Sequence, residues 1–155
     1  MSDSCLNHVE THWKDLTAIS NEYYNRNDFR QGLSGYKDAL YRAEVLNNNI
    51  SDCIRLKIPF VQIYIISCNN LANTYDELDN KEEAENMLKR VVYYLLHIAA
   101  NKELNFEEIQ SELKRASLLY VRFAEKNNLG IKKQEQLIRV LKEELLANNF
   151  MKKSN

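Results

Sequence analysis

The chain has 155 residues, 45% of them apolar and 28% charged, enough to bury a core and too apolar for a disordered chain. Basic residues number 21 against 22 acidic ones, a formal net charge of −1, so no overall positive field draws phosphate backbones and nucleic acid is not an expected partner. Three glycines and one proline supply almost none of the turns an all-β chain requires, and the expected class is all-α.

The start, "MSDSCL", is acidic where an export signal is basic and has no apolar stretch behind it, so none is expected. A first helix is expected from about Asp3 to Arg26, with Val9, Trp13, Leu16, Ile19 and Tyr23 at helical spacing before "NRND" breaks the run. A second runs from about Asp28 to Leu46 and stops at Asn47, Asn48 and Asn49. Ser51 is the expected cap of a third, continuing to Leu78, with Pro59 either kinking it or marking its true start. Its apolar window, "IPFVQIYIISC", is far short of the roughly 20 residues of a membrane span. Asn80 and Glu83 stand in capping-box spacing before a fourth helix to about Ala100, and Asn105 and Glu108 repeat the device before a fifth, ending near Asn127. A sixth covers about Ile131 to Asn148. The short connections make sequence neighbours antiparallel partners, giving hairpins over about 3–46, 51–100 and 105–149 of one domain.

Motif periodicity separates a bundle from a stack of repeats. Ser20, Tyr23, Phe29, Gly32, Tyr36 and Ala39 have the same internal spacing as Ala72, Tyr75, Lys81, Ala84, Leu88 and Val91. Small residues at the first and fourth places let two helices approach, and the large ones fill the gaps above and below. One helical hairpin is written twice.

"NNLANTYDELDNKEEAENMLKR" resembles the tetratricopeptide repeat (TPR), in the long variant of kinesin light chains, and "SNEYYNRNDFRQGLSGYKDAL" resembles an ordinary repeat of that family. The two units cover about half the chain. They lie 52 residues apart where the family's spacing is 34, Leu16 occupies the family's Trp position in place of Trp13, and the third hairpin matches only in helix length and amphipathicity. The resemblance implies a right-handed α-α superhelix of about three hairpins. By the same resemblance the chain would be a small stand-alone bacterial protein, a non-catalytic adapter or chaperone expected to hold a peptide in its concave groove. The first helix of each hairpin would line that groove. The corresponding stripes are Lys14, Thr17, Asn21 and Tyr24 on the first helix, and Gln62, Ile66, Asn69, Asn73 and Asp76 on the third. Amides both donate and accept, so they hydrogen-bond a ligand backbone without demanding one side-chain sequence. Local use of Asn70 and Asn73, bridging helices or meeting water, is the alternative.

Other features carry less chemistry. His8 and His12 are four apart with no third ligand, so no metal is expected. His97 reads as a core or interhelix residue, and Cys68 as a small core residue. Each of the pairs Tyr23-Tyr24 and Tyr93-Tyr94 has one member facing in and one out. Cys5, Cys53 and Cys68 are odd in number without a CxxC, as expected of reduced thiols in a cytoplasmic chain. No phosphate loop, zinc motif or cofactor motif is present, so no enzyme and no cofactor is expected. The alternative to a peptide groove is a structural homodimer joined through the last helix, where Leu137, Ile138, Leu141 and Leu145 form an apolar stripe.

Overall fold

A computed structural model describes residues 1–153, with side chains described through Glu143. Among these residues there are seven helices and no strand: α1 (Asp3–Asn25), α2 (Phe29–Asn47), α3 (Ile50–Leu56), α4 (Phe60–Glu77), α5 (Lys81–Ile98), α6 (Phe106–Lys126) and α7 (Ile131–Lys153). The all-α class is as expected, with one helix more than the pattern predicts. The chain divides into two compact units, Met1–Met87 and Leu88 onward.

The expected third helix is two. Lys57 closes α3 in the left-handed conformation (φ 59°), and Pro59 stands as the N-cap of α4. Proline biases its predecessor away from helical angles and has no N–H to donate, so a helix restarts there at no cost in hydrogen bonds. Ser51 is not the cap of α3. Asn49 holds that place, and its amide instead donates back to the Val45 carbonyl at 2.9 Å, while Ser51 lies inside the first turn. The wide spacing of the two motifs is thus filled by a short extra helix as well as by long ones.

In the first unit α2 packs against both α1 and α4, and α3 touches α1 and α2. Its core includes Leu6, Tyr36, Ala39, Ala43, Leu46, Cys53, Ile63, Cys68 and Leu71. Cys68 is fully buried, as expected of a small core residue. Arg55 on α3 reaches the Asp3 carboxylate with both guanidinium nitrogens at 2.9 and 2.6 Å, fastening α3 to the start of α1. This pair is half exposed and adds little stability, but it fixes orientation. Trp13 on α1 donates its indole N–H to Ser67 Oγ of α4 at 2.8 Å, and Ser67 in turn donates to the Ile63 carbonyl at 2.7 Å.

In the second unit α6 contacts α7, and Val91, Val92, Leu95, Ile109, Leu113, Tyr120, Leu137 and Leu141 are buried. Leu137 and Leu141 are therefore not on the open surface. Ile138 is 40% exposed, and the side chain of Leu145 lies outside the described residues. The Asn105 side chain caps α6 by accepting from the Glu107 and Glu108 N–H groups at 3.0 and 3.3 Å.

The turns α1–α2, α4–α5 and α6–α7 share one backbone closure and an asparagine or aspartate at its centre. Asn27, Asp79 and Asn128 take left-handed angles, with φ of 63°, 59° and 54°. The following N–H then reaches back over the turn at 2.9 Å each time, Asp28 to the Tyr23 carbonyl, Asn80 to Tyr75 and Leu129 to Ala124. This closure satisfies carbonyls that would otherwise end the helix unpaired. Lys57 makes a fourth turn of the same backbone form, the Ile58 N–H reaching the Cys53 carbonyl at 2.9 Å. Asparagine and aspartate tolerate the conformation better than other side chains do, which accounts for a glycine-poor chain using them at three of the four.

Candidate functional site

On α4, residues three and four apart share a face. Gln62, Ile66 and Asn73 are exposed and Asn69 and Asp76 half-buried, while Ile63, Leu71 and Thr74 on the other side are buried. The α4 stripe therefore faces outward as its spacing predicts. On α1 the stripe divides. Lys14 and Asn21 are exposed and Tyr24 is half-buried, but Thr17 is only 9% exposed, and its hydroxyl oxygen is buried without a hydrogen-bond partner among the described residues. Thr17 is therefore no open groove position. It shares a face with buried Trp13, and that contact side draws it inward.

A cleft of about 270 Å³ lies where α1, α2 and α4 meet, lined by Asn21, Tyr24, Asn25, Tyr36, Asn70 and Asn73. It falls just below the about 300–1,000 Å³ typical of small-molecule pockets, a size suited to a side chain and its backbone. Of the nine sequence-predicted groove residues it unites Asn21, Tyr24 and Asn73. Lys14, Thr17, Gln62, Ile66, Asn69 and Asp76 lie outside its lining. Asn25, Tyr36 and Asn70 complete it without having been expected in the groove. Asn25 was legible, being one helical turn beyond Asn21. Tyr36 was hidden, because its place in the repeat reads as packing.

The Tyr36 hydroxyl donates to Asn21 Oδ1 in a short hydrogen bond, which fixes the Asn21 amide and leaves its NH₂ to point elsewhere. Tyr24 is held by an edge-on contact with Phe29, ring centroids 5.1 Å apart. Asn25, Asn70 and Asn73 have no side-chain hydrogen bond among the described residues. The Asn70 backbone carbonyl, by contrast, accepts from the Thr74 hydroxyl at 2.7 Å. Burial pushes the hydroxyls of both tyrosines above their ordinary pKa, helped at Tyr24 by Glu77 and Asp76 and at Tyr36 by Tyr24. Both phenols therefore stay protonated and neutral at physiological pH. Asp76 is itself engaged by the Lys81 ammonium, which also approaches Asp79 at 3.9 Å and donates to the Asp76 carbonyl at 3.4 Å, so this lysine closes the α4 C-terminus.

The lining thus offers hydrogen bonds and no thiol, imidazole or carboxylate among the described residues. Elsewhere, His8 and His12 have ring centroids 6.4 Å apart, and no three potential metal ligands converge among the described residues. His97 is exposed rather than core, lining a shallow cleft of about 230 Å³ with Tyr93, Leu96 and Val140. Tyr23 and Tyr24 are both half-buried, so that pair does not divide into an inner and an outer member. Tyr93 is exposed and Tyr94 half-buried. No described helix is long and apolar enough to cross a membrane.

The model of a family of proteins of unknown function, DUF2753, matches residues 11–152, and the chain belongs to that family. No curated protein and no solved structure matches it.

Proposed function

We propose that this DUF2753 member is a non-catalytic protein-binding module, an adapter or chaperone that holds a peptide segment of a partner against the exposed face of α1 and α4. The observation that carries this reading is the cleft between α1, α2 and α4, where three amides without intrachain hydrogen bonds share one lining. An amide that serves the fold is ordinarily paired within it. Unpaired donors and acceptors gathered at one concave place suit the backbone of an extended chain. The TPR-like arrangement, a right-handed stack of three hairpins, belongs to the same proposal. It is supported by α2 packing against both α1 and α4 and by the turn chemistry shared at Asn27, Asp79 and Asn128.

Three free cysteines, two of them buried, fit a reducing compartment such as the cytoplasm. In the apolar stripe that the homodimer alternative needs, Leu137 and Leu141 are buried and Ile138 is exposed, so at least two of its members are not free to meet a second copy. The test is affinity capture from native extract, using the wild-type chain beside an Asn21→Ala/Asn73→Ala double variant. A partner recovered by the wild type and lost by the variant is the expected result. Equal recovery by both overturns the assignment of this cleft.

A further inference from the structure

We propose that the cleft selects a basic side chain, arginine or lysine, carried by the partner segment. This rests on the peptide-binding reading above and narrows it to one class of ligand. None of the six lining residues is charged. What they present to a guest is three unpaired amide groups, whose carbonyl oxygens accept hydrogen bonds, and the Tyr24 phenol with its ring. An ammonium or guanidinium, which only donates, finds acceptors and an aromatic surface here. A carboxylate, which only accepts, finds amide N–H groups but no cation among the lining residues.

The surroundings add a sign. One turn beyond Asn73, α4 continues into Asp76 and Glu77, which add to the effect of burial in raising the pKa of the Tyr24 hydroxyl. Lys81 engages Asp76, but Glu77 is exposed and makes no ion pair among the described residues. The cation on the α1 stripe, Lys14, stands two turns toward the opposite end and faces Glu10 at 3.8 Å. Two cations stand at this end, Lys81 on Asp76 and Asp79 and Lys37 of α2 with its ammonium 5.9 Å from the Tyr75 ring centroid. Against them stand three acids, Asp76, Glu77 and Asp79, so the balance near Tyr24 is negative by one charge and favours a basic group over an acidic one.

Selection of random dodecapeptides from a displayed library on the immobilised protein tests this, with Glu77→Lys and Asn21→Ala/Asn73→Ala as comparison baits and thermal melts confirming that all three fold. Peptides enriched on the wild type are expected to be several-fold richer in arginine and lysine than the starting library. Glu77→Lys is expected to abolish that bias, and the double variant to lose the enrichment. Peptides that depend on Asn21 and Asn73 yet show no basic bias, or an acidic one, overturn the selectivity and leave the binding reading standing. Enrichment on the wild type no greater than on the double variant overturns the binding reading, and the selectivity falls with it.

Discussion

Gly35 of α2 meets Ser20 of α1 so closely that a Cβ at residue 35 would lie 2.0 Å from the Ser20 hydroxyl oxygen and 3.2 Å from its Cβ. Ser20 is 1% exposed and donates its hydroxyl to the Leu16 carbonyl at 2.7 Å, so the oxygen cannot swing aside without giving up that bond. At Gly32, one turn earlier, the added atom would meet nothing nearer than 3.5 Å. The two glycines of one helix should therefore respond oppositely to alanine. Gly32→Ala gains about 0.5–1 kcal/mol from helix propensity. Gly35→Ala sets the same gain against an overpacking cost of about 1–3 kcal/mol and is destabilising overall. Urea midpoints of the two variants, and of Ser20→Ala/Gly35→Ala, measure this, and the double variant should recover part of the loss.

Asn73 and Ala84 have the same contrast in another form. Asn73 is exposed and unpaired, so Asn73→Ala should stay within about 0.5 kcal/mol of wild type while weakening partner capture. Ala84 is 0% exposed, and Ala84→Leu should cost about 1–3 kcal/mol. Thermal melts of both variants test the distinction, and equal destabilisation would mean that Asn73 serves the fold.

These positions show which parts of the site sequence could carry. Small residues at repeat positions marked where α1 and α2 approach, and Ser20 is indeed at the contact. Gly32 is there too, since a Cβ on it would meet the Ser20 carbonyl oxygen at 3.5 Å, but motif spacing carries no information about the tighter contact three residues on, where Gly35 abuts the Ser20 side chain. Period and side chain direction sufficed to turn Asn21, Tyr24 and Asn73 toward one cleft. They could not place Thr17 inside, since that depends on how closely neighbouring helices pack. Nor could they bring in Tyr36, which reaches the cleft only because its hydroxyl finds Asn21 on another helix. The split at Lys57 and Pro59 was half legible. Proline announced a break, but nothing local indicated that a left-handed lysine would end one helix before it.

The bond from Trp13 to Ser67 joins α1 to α4 and can be weighed directly. Ser67→Ala leaves the indole N–H buried and unpaired, at a cost of about 1–3 kcal/mol, whereas Trp13→Phe removes the donor together with some packing. In a double-mutant cycle the two should couple by about 0.5–1.5 kcal/mol. As the chain's one tryptophan is only 7% exposed, its fluorescence reports unfolding directly, and Ser67→Ala should raise its accessibility to acrylamide.

Cys53 is fully buried, and burial, reinforced by Asp52 and Glu10, pushes its thiol up to about 11 from 9.0. Above pH 9 the unfolded chain binds fewer protons than the folded one, so stability must fall as pH rises from about 9 to 11. The full loss from this group is of order 2–3 kcal/mol. Tyr24 and Tyr36, raised in the same direction, steepen the fall at its alkaline end. Urea titrations between pH 8 and 11 should show the decline, and Cys53→Ala should flatten its first part while lowering stability at neutral pH through the vacated space.

The three left-handed turns built on asparagine or aspartate give the repeat itself an energetic test. Asn27, Asp79 and Asn128 share a conformation that costs an ordinary L-residue about 1–2 kcal/mol and asparagine or aspartate less. Alanine at each place should therefore destabilise its hairpin by about 1 kcal/mol, and glycine should restore the loss or improve on the native residue. At Asp79 the same substitution also removes the contact with Lys81, but that carboxylate is 91% exposed and the pair lies at 3.9 Å, so it contributes little. Because the chain forms two compact units, a single melting temperature can average over them. Amide hydrogen exchange at Asp28, Asn80 and Leu129, whose N–H groups close the three turns, reads each one separately. Similar losses of protection from all three alanine variants, each reversed by glycine, would mean that α6–α7 is built as the other two hairpins are. A loss confined to the first two would make the last pair a hairpin of different construction.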